Sequence, residues 1–274
     1  MNFIAVNVRN IFYKITKPIA HFFHLSITYR LPEKTIQGLI DKLHPRKSGH
    51  KLRRIGPNAD GGYLVPDVLE GIKYCFSPGV DIESRFELEL AEIGMQVFMA
   101  DYSIEKPKID HSNFHFLKKF LGSWDHGEFI SLDTWVKESL PEGDNSDLIL
   151  QMDIEGFEYE CLFSISSQLL KRFRIIIIEF HGLDRLFDGA FYNQALRAFD
   201  KLLVNHTVVH NHPNNIFKPH KVKGIDLPVY SEFTFLRNDY VKDEGFVSTF
   251  PHPLDRDCTD KESYILPEMW YRKS

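Results

Sequence analysis

The stretch SDLILQMDIEGFEYECLFSISSQLLKRFRIIIIEFH, residues 146–181, decides the fold. Leu148 to Met152 is a short apolar run that stops at Asp153, Glu155 and Gly156, and beyond it Phe157, Cys161, Leu162 and Ile165 recur at helical spacing. Ile175 to Ile178 are four consecutive β-branched residues, too apolar for a strand with one wet face, and they end in Glu179, Phe180 and His181. Strand, crossover helix and strand predict a right-handed parallel βαβ unit. Both strand ends then open on one edge of the sheet, so Asp153, Glu155 and His181 should face one crevice, where open α/β sheets bind their ligands.

Upstream the pattern repeats. Lys73 to Ser77 reads as a strand, P-G-V-D-I-E follows, and a helix carries Phe86, Leu88, Leu90 and Ile93. Met95 to Ala100 is the next strand and stops at Asp101, 22 positions after Gly79. In nucleotide-binding α/β folds this order sets a helix N-terminus beside the ligand and a carboxylate on its ribose. A lone Gly79 is a much thinner signature than G-x-G-x-x-G. Asn113 to Phe120 reads as a poor strand, Phe129 to Leu140 as a helix entered through Ser131-Leu132-Asp133, and Leu183 to Leu203 as mostly helical. Thr207 to His210 leads into H-N-H-P-N-N, and Glu232 to Leu236 alternates as a strand does. Alternating strands and helices followed by closely spaced strands predict an α/β fold, its sheet mainly parallel with an antiparallel strand at the edge. In Lys51 to Pro66, Asp60-Gly61-Gly62 between apolar runs is a hairpin turn signal, and glycines there also let backbone approach a ligand closely.

At 274 residues and 32.0 kDa, 43% hydrophobic and 26% charged, the chain has the composition of one main soluble domain and not of a disordered protein. Cys75, Cys161 and Cys258 lie far apart with no C-x-x-C, which argues against a disulfide framework or zinc knuckle and for a reducing, cytoplasmic setting. The net charge of -5 hides an asymmetry: residues 1–54 carry +9 and the remainder -14. Residues 1–50 are read as a basic, apolar-rich helical leader and 51–274 as the domain. Within the leader, Phe12, Ile15, Ile19, Phe22 and Phe23 step by three or four residues. That is an amphipathic helix, either packed on the domain or on a second subunit, or resting peripherally on the inner membrane surface. No apolar run reaches the ~20 residues of a membrane span, and no cleavage site follows an apolar core. Glu33 to Leu43 is a further amphipathic helix, with Ile36, Leu39, Ile40 and Leu43 on one face and Pro45 closing it. A basic and aromatic platform for single-stranded nucleic acid is not evident, and no nucleic-acid partner is expected.

Three segments, D-I-E-G-F-E-Y-E-C-L (153–162), S-L-D (131–133) and I-I-E-F-H-G-L (177–183), together resemble the FkbM-type methyltransferases, a branch of the class I S-adenosylmethionine-dependent enzymes. D-G-G-Y (60–63), H-P-N-N (212–215), E-F-T-F (232–235) and P-H-P-L-D (251–255) resemble further pieces of the family pattern. The likeness spans about residues 51–257. It implies a Rossmann-like seven-stranded sheet, bound S-adenosylmethionine, and methyl transfer, often to an oxygen of a sugar or natural product. Carried onto this sequence, it sets the cofactor near Gly79, Glu87 and Asp101, with Asp133 towards the adenine and Asp153 beside the methyl donor. The first glycine loop departs from the pattern, and Asp60, Gly61 and Gly62 are candidates to supply what it lacks.

Methyl transfer from a sulfonium is an in-line displacement, so the protein aligns the partners and removes the acceptor proton. His181 is the first candidate for general base, with His210 and His212 behind it and Asp153 beside the reacting centre. Asp153, Glu179 and His181, with His210 and His212, are alternatively candidates for a divalent metal site, although no spacing demands one. The acceptor is expected to be a glycan, glycolipid or small molecule. A different class of function is a degenerate methyltransferase fold that binds a partner or membrane without turnover.

Overall fold

The computed structural model describes residues 14, 16, 22, 30–80, 83–242 and 244–272. The leader helix expected across Phe12 to Phe23 therefore lies almost wholly outside the described residues. Among the described residues no helix is long and apolar enough to cross a membrane.

From residue 30 on, the described elements begin with helix α1 (Glu33–Lys42) and the hairpin β1 (Leu52–Ile55) and β2 (Tyr63–Pro66). It continues through β3 (Tyr74–Pro78), α2 (Arg85–Glu92), β4 (Gln96–Ala100), β5 (Phe114–Leu117), β6 (Phe120–Gly122), β7 (Phe129–Ser131) and α3 (Leu132–Ser139). Next come β8 (Leu148–Met152), α4 (Glu158–Ser164), α5 (Ser167–Leu170), β9 (Phe173–His181), a 3-10 turn (Leu183–Phe187) and α6 (Gly189–Leu203). The last strands are β10 (His206–Pro213), β11 (His220–Val222), β12 (Ile225–Leu227) and β13 (Tyr230–Arg237).

Seven strands form one sheet in the order β10-β13-β9-β8-β3-β4-β5. The pairs β9–β8, β8–β3, β3–β4 and β4–β5 are parallel, whereas β13 runs antiparallel to both β9 and β10. The antiparallel member thus sits one place in from the edge, and β10 returns parallel outside it. This strand order is that of the class I methyltransferase fold.

Strands β8 and β9 are buried along their whole length, as an apolar run covered on both faces requires. Alternate residues feed two cores. Phe76, Leu148, Leu150, Ile176, Ile178, Phe180, Phe233 and Phe235 face α1, α3, α4 and α6. Cys75, Val97, Met99, Ile149, Ile175 and Ile177 face α2 and the β1–β2 hairpin. The hairpin takes the place of a helix over half of that face, where Thr234 Oγ1 donates to Leu64 O at 2.7 Å. Helix α1 buries Ile36, Leu39 and Ile40 in the first core and pairs Lys42 with Asp200 at 2.8 Å. No break in packing separates residues 33–50, assigned to the leader from sequence, from the domain.

Two local expectations change. The weak pattern at Asn113 to Phe120 contains β5, a true member of the sheet; its half-buried residues reflect its place at the edge. Phe129 to Ser131 is a short strand paired with β6 before the helix starts, and Ser131 Oγ then caps α3 by accepting from Thr134 N.

Candidate functional site

The parallel strands β3, β4 and β8 end at Pro78, Ala100 and Met152, and their carboxyl ends open on a cavity of about 450 Å3; β9 ends beside them at His181, which lies behind Asp153 and Glu155 and is not itself in the lining. Asp101 and Asp153 both line it. Their strands are not neighbours: β3 runs between them, and its loop bridges the two. Gly79 N donates to Ala100 O at 2.9 Å. A Cβ on Gly79, whose φ is +81°, would stand 1.6 Å from Asp153 O. The single glycine of this loop is therefore required by the approach of the β8 loop and by the left-handed backbone.

One end of the cavity combines apolar Phe120, Leu121 and Phe129 with Gly79, Glu87 and Asp101. Asp101 is buried, and its Oδ1 accepts from both the backbone N and the hydroxyl of Ser103 at 2.7 Å. Beneath it a hydrogen-bonded chain runs through the sheet. Ser77 Oγ lies 2.5 Å from Glu87 Oε1 and 2.6 Å from Gln151 Oε1, and Gln151 Nε2 donates to Tyr63 OH at 3.1 Å. One hydroxyl hydrogen cannot serve two acceptor oxygens. A proton on Glu87 completes the chain, in keeping with burial that pushes its pKa up to about 7 against the opposing bond from Ser77.

The other end is acidic and is lined by Asp60, Gly61, Tyr63, Asp153, Glu155 and Phe157. Here His181, at the tip of β9, is 8% exposed. Its Nδ1 donates to Glu158 Oε1 at 2.9 Å, and the same oxygen accepts from Gly156 N at 2.9 Å and Ile154 N at 3.3 Å. Glu158 is fully buried in the first turn of α4. With Nδ1 so engaged, Nε2 faces inward, 3.7 Å from Asp153 Oδ1, 3.5 Å from Glu155 Oε2 and 4.0 Å from Glu179 Oε1. Glu155 reaches this position from a backbone with φ of +55°. Burial raises the pKa of Asp153 and that of Glu179, whose neighbours Asp153 and Glu232 add repulsion. Burial works against a charged imidazole at His181, but Glu158, Asp153 and Glu155 outweigh it and the pKa rises. The acidic wall continues across the sheet, Glu179 lying opposite Glu232 and Glu232 opposite His212.

Several residues singled out in the sequence lie elsewhere. Asp133 does not line the cavity; its Oδ2 accepts from Ser166 N at 2.8 Å, at the start of α5. An acid in the first turn of a helix serves a neighbouring amide just as well as an adenine, and spacing cannot tell the two apart. Gly62 is also outside the lining and packs against Arg54 and Pro57. His210 Nε2 is tied to Asp255 Oδ1 at 2.8 Å, and His212 Nε2 to Arg256 O at 2.9 Å, so both clamp the C-terminal segment onto the sheet and neither lines this cavity. Conversely Glu158, Tyr63, Gln151, Phe120 and Phe129 were not singled out. Glu158 stood within the quoted motif, but only its burial against His181 sets it apart from the other acids there.

A family model, the methyltransferase FkbM domain, matches residues 128–206, which run from β7 to the start of β10 and hold Asp153, Glu158 and His181. The matched segment contributes Asp153, Glu155 and Phe157 to the cavity, and the residues before it contribute Asp60, Tyr63, Gly79, Glu87 and Asp101. No curated protein matches the chain. Among solved structures, magnesium protoporphyrin IX methyltransferase (ChlM) from Synechocystis PCC 6803 with bound SAM aligns at 13% identity over 62% of this chain and 72% of that one, with a TM-score of 0.34. A putative S-adenosylmethionine dependent methyltransferase from Listeria monocytogenes aligns at 10% identity over 64% and 94%, with a TM-score of 0.37. At that level of likeness neither adds to what the strand order already shows.

Proposed function

We propose that this protein transfers the methyl group of S-adenosylmethionine to a hydroxyl oxygen of a sugar-bearing acceptor, a glycan, glycolipid or related compound. The observation that carries this reading is the two-ended cavity, which has an apolar and carboxylate site at one end and, at the other, the carboxylates Asp153 and Glu155 backed by His181. Its volume, about 450 Å3, falls in the range of small-molecule sites. Bound there, the cofactor supplies an electrophilic methyl group on a positively charged sulfonium.

The residues suit that group. Phe120, Leu121 and Phe129 give a flat base an apolar slot, and Asp101, at the tip of β4, accepts hydrogen bonds from ribose hydroxyls. The negative field of Asp153 and Asp60 favours a cationic centre. Oriented in this way, the acceptor hydroxyl meets the donor in line at the His181 end. Carboxylates such as Asp60 and Glu155 accept hydrogen bonds from the remaining hydroxyls, and exposed Phe157 offers a ring face to a sugar. Nε2 of His181 serves this step in one of two ways: it takes the hydroxyl proton itself, or it holds a cation that makes the hydroxyl more acidic.

Titration calorimetry with S-adenosylmethionine, followed by a labelled-methyl assay on a panel of glycan precursors, tests the reading. Saturable cofactor binding and transfer to a hydroxylated acceptor are expected. The absence of binding at millimolar cofactor would leave only a non-catalytic methyltransferase fold. The basic leader is read as a contact with an anionic membrane surface, so removal of residues 1–30 should lower sedimentation with anionic liposomes.

A further inference from the structure

We propose that Asp153, Glu155 and His181 form a binding site for one divalent cation of the first transition row, at the acceptor end of the cavity. The proposal rests on the methyltransferase reading only for what the ion would do, not for the site itself.

Three ligand atoms, His181 Nε2 and one carboxylate oxygen each from Asp153 and Glu155, lie within 4.8 Å of one another. Yet they do not bond to each other. Nε2 stands 3.7 Å from Asp153 and 3.5 Å from Glu155, too far for hydrogen bonds. Ligands held ~2.2 Å from a common centre and separated by these distances subtend about 105–115°, within the range that nitrogen and oxygen donors adopt around such an ion.

Two further observations point to a missing positive centre. The His181 side chain is 9% exposed, and Nδ1 is committed to Glu158, so Nε2 is the nitrogen turned towards the two carboxylates. Asp153 Oδ1, the oxygen turned towards that nitrogen, is itself buried and has no hydrogen-bond partner. Among the described residues, no lysine or arginine pairs with Asp153, Glu155, Glu158 or Glu179; the imidazole is their shared partner. Glu158 has the position of the carboxylate that orients a metal-bound histidine through its second nitrogen. Glu179 Oε1, 4.0 Å from Nε2, is near enough to join as a further ligand. Asp153 and Glu155 also line the cavity, where an acceptor oxygen would be polarised by the ion. In this arrangement His181 is a ligand and not the proton acceptor.

The experiment uses the full chain after chelator treatment, titrated with Mn2+ and followed by the loss of the free-ion electron paramagnetic resonance signal. One equivalent should bind. Asp153→Asn and His181→Ala should each weaken binding at least ~10-fold, and so should Glu155→Gln, whose exposed side chain puts folding at little risk. Asp133→Ala should leave it unchanged. Failure of the wild type to bind Mn2+ stoichiometrically would overturn the site, as would binding that survives all three ligand substitutions. S-adenosylmethionine titrated into the same chelated protein separates the two ideas: cofactor binding without Mn2+ binding removes the cation and keeps the methyltransferase.

Discussion

From Glu87 at one end of the cavity, Ser77, Gln151 and Tyr63 link into a continuous hydrogen-bonded chain under the sheet edge. At the His181 end, Asp153 Oδ1 and Glu158 Oε2 are buried without partners, and Nε2 of His181 faces three carboxylates it does not reach. The first region is finished by the protein itself. The second is arranged for something that arrives. Buried polar groups without partners cost stability, so a chain that keeps them at one end of a ligand cavity has a use for them there.

The sharpest way to break this comparison is to remove the joint between the two ends. Gly79→Val forces a side chain into Asp153 O from a backbone of positive φ, and a loss of at least ~4 kcal/mol, read by chemical unfolding, is expected. A mildly destabilised variant would show that the β3 and β8 loops are not held together at this glycine. His181→Ala should lower turnover ~100-fold while cofactor affinity stays within about twofold, because only the acidic end is altered. Parallel loss of cofactor affinity would mean that the two ends do not act separately.

The pH response of Glu87 sharpens the other side. Its pKa is raised from 4.5 to about 7 in the folded chain, so its contribution to stability is fully present below 4.5 and is lost as pH climbs through 7. Glu87→Gln should escape that loss, with its stability advantage over the wild type growing between pH 5 and pH 8 to about 2 kcal/mol. Thermal unfolding across that range checks it, and a difference that does not vary with pH would exclude a proton on Glu87. Asp101→Ala should weaken S-adenosylmethionine binding ~10-fold, equivalent to ~1.4 kcal/mol, with little effect on Mn2+ binding. Asp133→Ala, which removes only an acceptor for Ser166 N, should cost about 1 kcal/mol and leave cofactor affinity unchanged.

Much of the scaffold was legible because it rests on local pattern. The apolar runs ending in Asp101, Asp153 and His181 mark strands buried on both faces, and the helical spacing between them requires crossovers. The class I strand order then brings those tips to one edge. Less of the site was legible. Asp133, His210 and His212 belong to residue types that serve catalysis, but hydrogen bonds to Ser166, Asp255 and Arg256 claim them. Glu158 went unremarked among the acids of its motif, although it fixes which nitrogen of His181 faces Asp153 and Glu155.

By itself, then, the sequence determined a parallel sheet with acidic strand tips, since burial period and strand-end chemistry are properties of consecutive residues. Only the tertiary structure decided that β3 separates the strands of Asp101 and Asp153, that a hairpin instead of a helix brings Asp60 over the cavity, and that Glu158 turns His181 inward. Each of these depends on contacts between segments far apart in the chain, whose distances are set by packing and not by spacing.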